Sequence, residues 1–321
     1  MIDITDFSKK QMIFIFPLRG DKLSFKNDNV IVKDKDGKIK HQSTCDRLFV
    51  IFIVGDITIT SGIIRRAKKF GFSICMMTQS MKLYEIIGSR MEGNTELRKK
   101  QYEYNSIDLG KNIIINKISN QRIALNKIRN KNEYTKEVIK KLDEHKLKLK
   151  SRDFELTELL GVEGSAARIY FSQIYNKVDW KGRKPRIKYD YINTTLDIGY
   201  NLLFNIIDSI LQVYGFDVYY GVLHKCFYMR KSLVCDIMEP FRPIIDLKIR
   251  KSINLGQCKK EDFEFINNQW LLNFKKSTEY VSFFMEAILE YREEIFKYIQ
   301  GYYRCFMKQK YAEEFPVFKL K

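Results

Sequence analysis

The segment "SLVCDIMEPFRPIID", residues 232–246, places two carboxylates, Asp236 and Glu239, three positions apart. On a helix that spacing puts both on one face. Leu233, Ile237, Phe241, Ile244 and Ile245 give the same stretch an apolar side, and Pro240 and Pro243 interrupt it. A proline inside a helix costs about 3 kcal/mol. Either the helix starts close to Asp236, or something stabilises an irregular turn. Structural roles also account for such acids: an exposed helix face, a D-x-x-E cap, or pairing with nearby cations. His224, one of only 3 histidines, precedes them in the apolar run "GFDVYYGVLHKCF" (215–227). It reads as a core histidine, or as one on a short connection within reach of the next helix start. Glu163, between Val162 and Gly164, opens a helix of small residues. Glycine beside an acid lets a phosphate or another backbone approach, and the acid alone also suits a helix N-terminus. Together, one imidazole and two carboxylates from three helix starts form a hard-oxygen set with one nitrogen. That set suits Mg²⁺ or Mn²⁺ better than zinc. Beside a phosphodiester, such an ion neutralises charge and lowers the pKa of a nucleophilic hydroxyl.

The elements that must position these residues fall into two parts. Residues 1–88 read as short strands: "QMIFIFPL" (11–18), "KLSFK" (22–26), "NVIVKDKDGKIKHQ" (29–42), "RLFVIFIVGDITIT" (47–60) and "FSICMMT" (72–78). Asp36-Gly37 is a hairpin signal, and "SGIIRRAKKFG" (61–71) is the one helix among them. The polar, glycine-containing residues 89–101 read as a linker. Residues 102–321 have helical period throughout, with "TLDIGYNLLFNIIDSILQVYG" (195–215) apolar enough for a central helix and a last helical stretch from Lys260 to about Lys310. The expected fold is therefore α+β and multi-domain: a β-rich, β-sandwich-like domain, then an all-α catalytic domain.

The net charge of +18, from 57 Lys and Arg against 39 Asp and Glu, calls for a polyanionic partner. Nucleic acid is favoured, because the charge is spread through apolar-patterned segments. No run reaches the roughly 18 apolar residues of a membrane span, and "MIDITDFSKKQ" lacks the apolar core of a signal peptide. The scattered cysteines, with no C-x-x-C, read as reduced thiols of a cytoplasmic protein. One loop, "NKVDWKGRKPRIKYD" (176–190), concentrates Lys181, Arg183, Lys184, Arg186 and Lys188 around Trp180. It reads either as a solvated surface loop or as a phosphate-contacting loop with Trp180 available for stacking.

Four ordered motifs then resemble the CRISPR-associated integrase/endonuclease family, the catalytic subunit of the spacer-acquisition complex. They are Glu163-Gly164 with Ala166-Ala167-Arg168, Asp190 and Asn193 with Gly199-Tyr200, the G-x-D…G-x-L-H run from Gly215 to His224, and the S-L-x-x-D-I-M-E-P-F-R-P run from Ser232 to Pro243. Val218 stands where the family commonly has proline. The resemblance implies a dimerising β-rich domain and a helical catalytic domain, so a homodimer. It implies Mg²⁺ or Mn²⁺ held by Glu163, His224 and Glu239, with Asp236 as an accessory catalytic acid. The implied partners are double-stranded DNA, as prespacer fragment and repeat array, and a small ferredoxin-like subunit. The implied reaction is transesterification of a 3′-hydroxyl onto a repeat-border phosphodiester. Arg168, Arg242 and the cations of the 177–188 loop are candidate DNA contacts, and the tail "EEFPVFKLK" (313–321) is a candidate partner contact.

A surface making about 6–10 phosphate contacts loses about 10³–10⁵ in DNA affinity between 50 and 200 mM salt. Fluorescence anisotropy on labelled duplex DNA measures that slope. A flat response would exclude an extended DNA-binding surface.

Overall fold

The computed structural model describes residues 9–79, 83–88, 93–104, 107–129 and 131–321. The chain divides into two units: Met1–Asn94 with Asp208–Phe216, and Thr95–Ile207 with Asp217–Lys321.

The first unit contains two four-stranded sheets. Strands β1 (Gln11–Ile15), β5 (Leu48–Val54), β7 (Ser73–Met77) and β8 (Leu83–Gly88) form one, in the order β1-β5-β7-β8. β5 lies parallel to both neighbours, and every residue of its run LFVIFIV is buried. A strand covered on both faces reads as continuous apolar sequence rather than as alternation. The second sheet runs β4-β3-β2-β6, from β2 (Lys22–Lys26), β3 (Asn29–Lys33), β4 (Ile39–Thr44) and β6 (Thr58–Ile59). Asp36-Gly37 lies in the β3–β4 hairpin, as its dipeptide signals. One apolar cluster joins the sheets: Leu23, Val30 and Val32 from one, Ile15, Leu48, Ile51, Ile53 and Ile74 from the other, with Ile63 and Ala67 of α1 (Ser61–Phe70). The sandwich-like expectation is met, with a helix contributing to the shared core.

The second unit is helical. Its first helix, α2 (Thr95–Glu103), lies within the stretch read as a linker, whose residues 89–92 are outside the described residues. The polar composition misleads because Gln101 is wholly buried for its hydrogen bonds. Its amide donates to the Asp217 and Tyr220 carbonyls, at 2.8 Å each, and its oxygen accepts from the Asp217 amide at 3.0 Å. There follow α3 (Ile107–Asn126), α4 (Glu133–Ser151), α5 (Leu156–Ile174) and α6 (Tyr191–Tyr214), whose last residues group with the first unit. Beyond residue 214 come α7 (Ser232–Met238), a 3-10 turn at Glu239–Phe241, α8 (Arg242–Asn254), α9 (Ser277–Glu290) and α10 (Arg292–Met307). No helix among the described residues is long and apolar enough to cross a membrane.

One expectation needs correction here. The last helical stretch does not begin at Lys260. Strands β9 (Phe263–Ile266) and β10 (Gln269–Leu272) form an antiparallel hairpin there. Asn267 and Asn268 both take positive φ, 49° and 59°, which a two-residue hairpin turn of matching twist requires. The terminal tail, the candidate partner contact, is anchored on α3. Phe318 and Leu320 are buried, and Asn116 and Asn120 of α3 bind their backbones at 2.6–3.0 Å.

Gly199 shows how tightly α6 is packed. A Cβ there would lie 2.5 Å from Ile245 Cγ2 on α8 and 2.6 Å from Phe284 Cε1 on α9. Gly199→Ala is expected to lower unfolding stability by about 1–3 kcal/mol through overpacking. Urea denaturation at unchanged m-value checks this.

Candidate active site

Three elements of the helical unit bring the acids together. Glu163 is not at a helix start. The stretches 153–161 and 163–175 form one helix, α5, with Glu163 in its middle. Gly161 and Gly164 do not break it, and a Cβ at either would meet nothing within 4 Å. The helix surface flanking Glu163 is therefore bare. Glu239 lies just after α7, as the first residue of the 3-10 turn, so the irregular-turn reading is the correct one. Pro240 and Pro243 fall in the first positions of that turn and of α8, where a missing N–H leaves no helical bond unmade.

The link between the two acids is a residue that sequence reasoning missed. Lys117 of α3 points its ammonium between them, pairing with Glu163 Oε1 and, at 2.6 Å, with Glu239 Oε2. On the other side, Arg242 Nε donates to Glu239 Oε1 at 2.9 Å. Burial alone would raise the Glu239 carboxyl. The Arg242 and Lys117 cations outweigh it and hold the group well below the usual carboxylate range. Burial would likewise lower Lys117, but Glu239 and Glu163 push it up and keep it charged. A signal for Lys117 existed: it shares a helical stripe with Ile113, Ile114 and Ile118. A cation on an apolar stripe implies a buried partner.

His224 sits on the loop before α7, and Asp236 fixes it there. Asp236 is fully buried. Its carboxylate accepts from the amides of Val222, Leu223 and His224, at 2.6, 3.0 and 3.0 Å. It also accepts from His224 Nδ1 at 2.6 Å. A carboxylate only accepts, so Nδ1 is the nitrogen that donates to Asp236 and Nε2 is the one left for another partner. Gly221 permits this approach, because a Cβ there would lie 2.6 Å from Asp236 Oδ2. Asp236 thus holds both the His224 ring and the loop that carries it.

The candidate DNA contacts divide. Arg242 turns its Nε to Glu239, and its guanidinium lies 4.6 Å from the Tyr200 ring centroid. Arg183 pairs with Asp197 at 2.6 Å and with Asn193. Asp190 and Asn193 pin the basic loop: Asn193 accepts from the Lys184 amide, donates to the Gly182 carbonyl, and is itself held by Asp190. Trp180 is not presented for stacking, because it packs edge-on against Phe171 and Tyr175. The Lys184 ammonium sits 3.4 Å from the Tyr189 ring centroid. Arg168, Lys181 and Arg186 are exposed, and Lys188 is half-buried. A second missed group lies behind Arg242, where Tyr200 and Tyr170 donate to Asp246 at 2.5 and 2.9 Å.

The donor types suit a hard divalent ion: carboxylate oxygens, with an imidazole nitrogen set by a carboxylate behind it. Glu239 Oε2 is buried, and its partner is the Lys117 ammonium at 2.6 Å. Among the described residues no three His, Cys, Asp or Glu side chains stand close enough to hold one ion as placed. The cation joining Glu163 and Glu239 is the lysine ammonium.

The sequence matches the family model of CRISPR associated protein Cas1 over residues 17–286. A CRISPR-associated endonuclease Cas1 from Thermodesulfovibrio yellowstonii is 28% identical over 225 residues, covering 66% of this chain and 71% of its own. A casposase bound to integration product superposes with a TM-score of 0.78 at 20% identity, over 97% of this chain and 96% of that one. A chain of a Cas6-RT-Cas1–Cas2 complex gives 0.80 at 22% identity, over 98% of this chain but only 37% of that longer one. The matching relatives are named as endonucleases, and with the family model they put this chain among enzymes of the nuclease and integrase class. The chain belongs to the CRISPR-associated Cas1 family.

Burial pushes the Asp246 carboxyl up to about 6, although the Tyr200 and Tyr170 hydroxyls hydrogen-bond to it. The native state then holds a proton that the unfolded chain, ionising near 3.8, has released. This contribution is present at low pH and lost as pH rises through 6. Asp246→Asn removes it, so the variant's thermal midpoint should gain on wild type between pH 4 and pH 7. A constant difference across that range would contradict the assignment.

Proposed function

We propose that this protein is a Mg²⁺- or Mn²⁺-dependent DNA integrase and endonuclease of CRISPR adaptation, joining short double-stranded fragments to a repeat array. The observation that carries this reading is the convergence of Glu163 and Glu239 on one buried cation, beside a histidine whose Nδ1 is committed to Asp236. Glu163, Glu239 and His224 Nε2 would hold the metal, which when bound supplies neutralisation of the scissile phosphate and a more acidic attacking hydroxyl. The 3′-oxygen of the fragment forms a new bond to phosphorus. The bond to the 3′-oxygen of the repeat strand breaks, and that oxygen takes up a proton. One phosphodiester replaces another, so no external energy source is needed.

The chain's own residues prepare this step. Asp236 holds the imidazole in one orientation. Arg242, anchored on Glu239 and Tyr200, keeps that carboxylate from rotating. The bare helix surface at Gly161 and Gly164 leaves room beside Glu163 for a sugar-phosphate backbone. Arg168, Lys181 and Arg186 are exposed and of the right charge to hold it. Integrating both fragment ends requires two sites at a set spacing. We therefore assign homodimerisation to the strand-rich unit and the bridging role to a small ferredoxin-like partner, in the cytoplasm. The family match and the fold shared with proteins described as a casposase on its integration product and a Cas1–Cas2 complex support this reading.

Strand transfer on labelled branched DNA, in Mn²⁺, Mg²⁺ or EDTA, tests the proposal. Joined product is expected with metal. It should vanish in folded Glu163→Ala, His224→Ala and Glu239→Ala variants, which should also bind Mn²⁺ more weakly by calorimetry. Joining by all three variants would reject the site. Cut but unjoined strands from wild type would make the protein a structure-specific nuclease instead.

A further inference from the structure

Immediately after His224 the chain exposes three large apolar side chains in succession. Phe227, Tyr228 and Met229 are 74%, 85% and 74% exposed. Water contact on that much apolar surface is unfavourable, and contiguous exposed apolar residues mark a binding surface. The segment is a built turn rather than a loose loop. The Arg230 amide donates to the Phe227 carbonyl at 3.0 Å, closing a four-residue turn. Met229, its third residue, takes a φ of 55°, a left-handed conformation that a methionine side chain rarely adopts. Below the turn, Ser232 Oγ donates to the Lys225 carbonyl at 3.1 Å and ties the two limbs together. At one end of the segment stands His224, held by Asp236. At the other is the start of α7, which carries that same aspartate.

The flanking charge selects among partners. Lys225 lies on one side of the three residues, Arg230 and Lys231 on the other. In a chain of net charge +18, an apolar tip set between cations is better matched to a polyanion than to a protein surface. It matches nucleic acid, in which apolar base faces lie between phosphates. Apolar side chains such as Phe and Met enter base steps as wedges, and aromatic rings stack on unpaired bases.

We propose that residues 225–231 form a base-contacting wedge. Phe227, Tyr228 and Met229 stack on or between the bases beside the scissile phosphate, and Lys225 pairs with the adjoining backbone. The inference rests on the DNA-joining function proposed above and adds a contact to bases, which the metal donors and surface cations do not provide. The wedge unstacks the target strand next to the residue pair that fixes His224. The bent or opened DNA then presents its phosphate to Glu163 and Glu239.

The test uses the full chain and a branched DNA carrying 2-aminopurine on either side of the junction. Binding of wild type should change the 2-aminopurine fluorescence. The triple variant Phe227→Ser, Tyr228→Ser, Met229→Ser, checked for an unchanged thermal midpoint, should lose that change and bind about tenfold more weakly or worse. Its slope of log affinity against log salt should equal that of wild type, because no cation has been removed. Tyr228→Trp should retain the fluorescence change. Equal affinity and equal fluorescence for the triple variant would overturn the inference while leaving the DNA-joining function standing. So would a wild-type dimer that becomes monomeric in the variant by light scattering, which would make the tip a contact between copies. Absence of DNA binding by wild type would instead reject the proposed function.

Discussion

A buried ammonium held between two carboxylates sets the terms for the helical unit. Taking a lysine or a glutamate out of water costs several kcal/mol each, and pairing must offset it through good geometry. Lys117, Glu163, Glu239 and Arg242 come from α3, α5, the 3-10 turn and α8, and only their convergence makes each burial tolerable. If one element shifts, an unpaired charge is left inside. The cluster is therefore poor at adding stability and good at fixing where three helices and a turn must meet.

Around the cluster, polar side chains are spent on holding backbone. Asp236 gathers three consecutive amides and the His224 ring, so the loop's position depends on a single carboxylate. Asn120 does similar work on the opposite side. Its amide donates to the Pro240 carbonyl at 3.1 Å and to the Phe318 carbonyl at 3.0 Å, linking the Glu239 turn to the terminal tail. Phe318 stacks on Phe241 with centroids 4.4 Å apart, so the tail packs directly against that turn. The segment that reads as a candidate partner contact is part of the support for an acid of the site.

The net charge of +18 is an imperfect guide to where DNA would lie. Arg183 and Arg242 are paired with internal acids, and Lys184 lies against Tyr189. Lys117 is buried altogether. Of the eight candidate cations, Arg168, Lys177, Lys181 and Arg186 are exposed. Their neighbours in sequence serve the shape of the loop that presents them.

The sequence by itself determined the class of each unit. A continuous apolar run such as residues 48–54 has one stable use, as a covered strand, and sustained helical period after residue 102 gives helices. Ordered motifs at Glu163, His224, Asp236 and Glu239 singled these residues out as a candidate set. Their roles were decided only in three dimensions. Glu163 lies mid-helix because α5 continues through two glycines. Asp236 faces the backbone of residues 222–224, which spacing along one helix cannot reveal. Lys117 lies 46 residues before Glu163 and 122 before Glu239. Local pattern carries no information about a partner at that range. Charge pairing in a low-dielectric interior depends on distances of a few ångströms between elements far apart in the chain, and only the packed fold sets those distances.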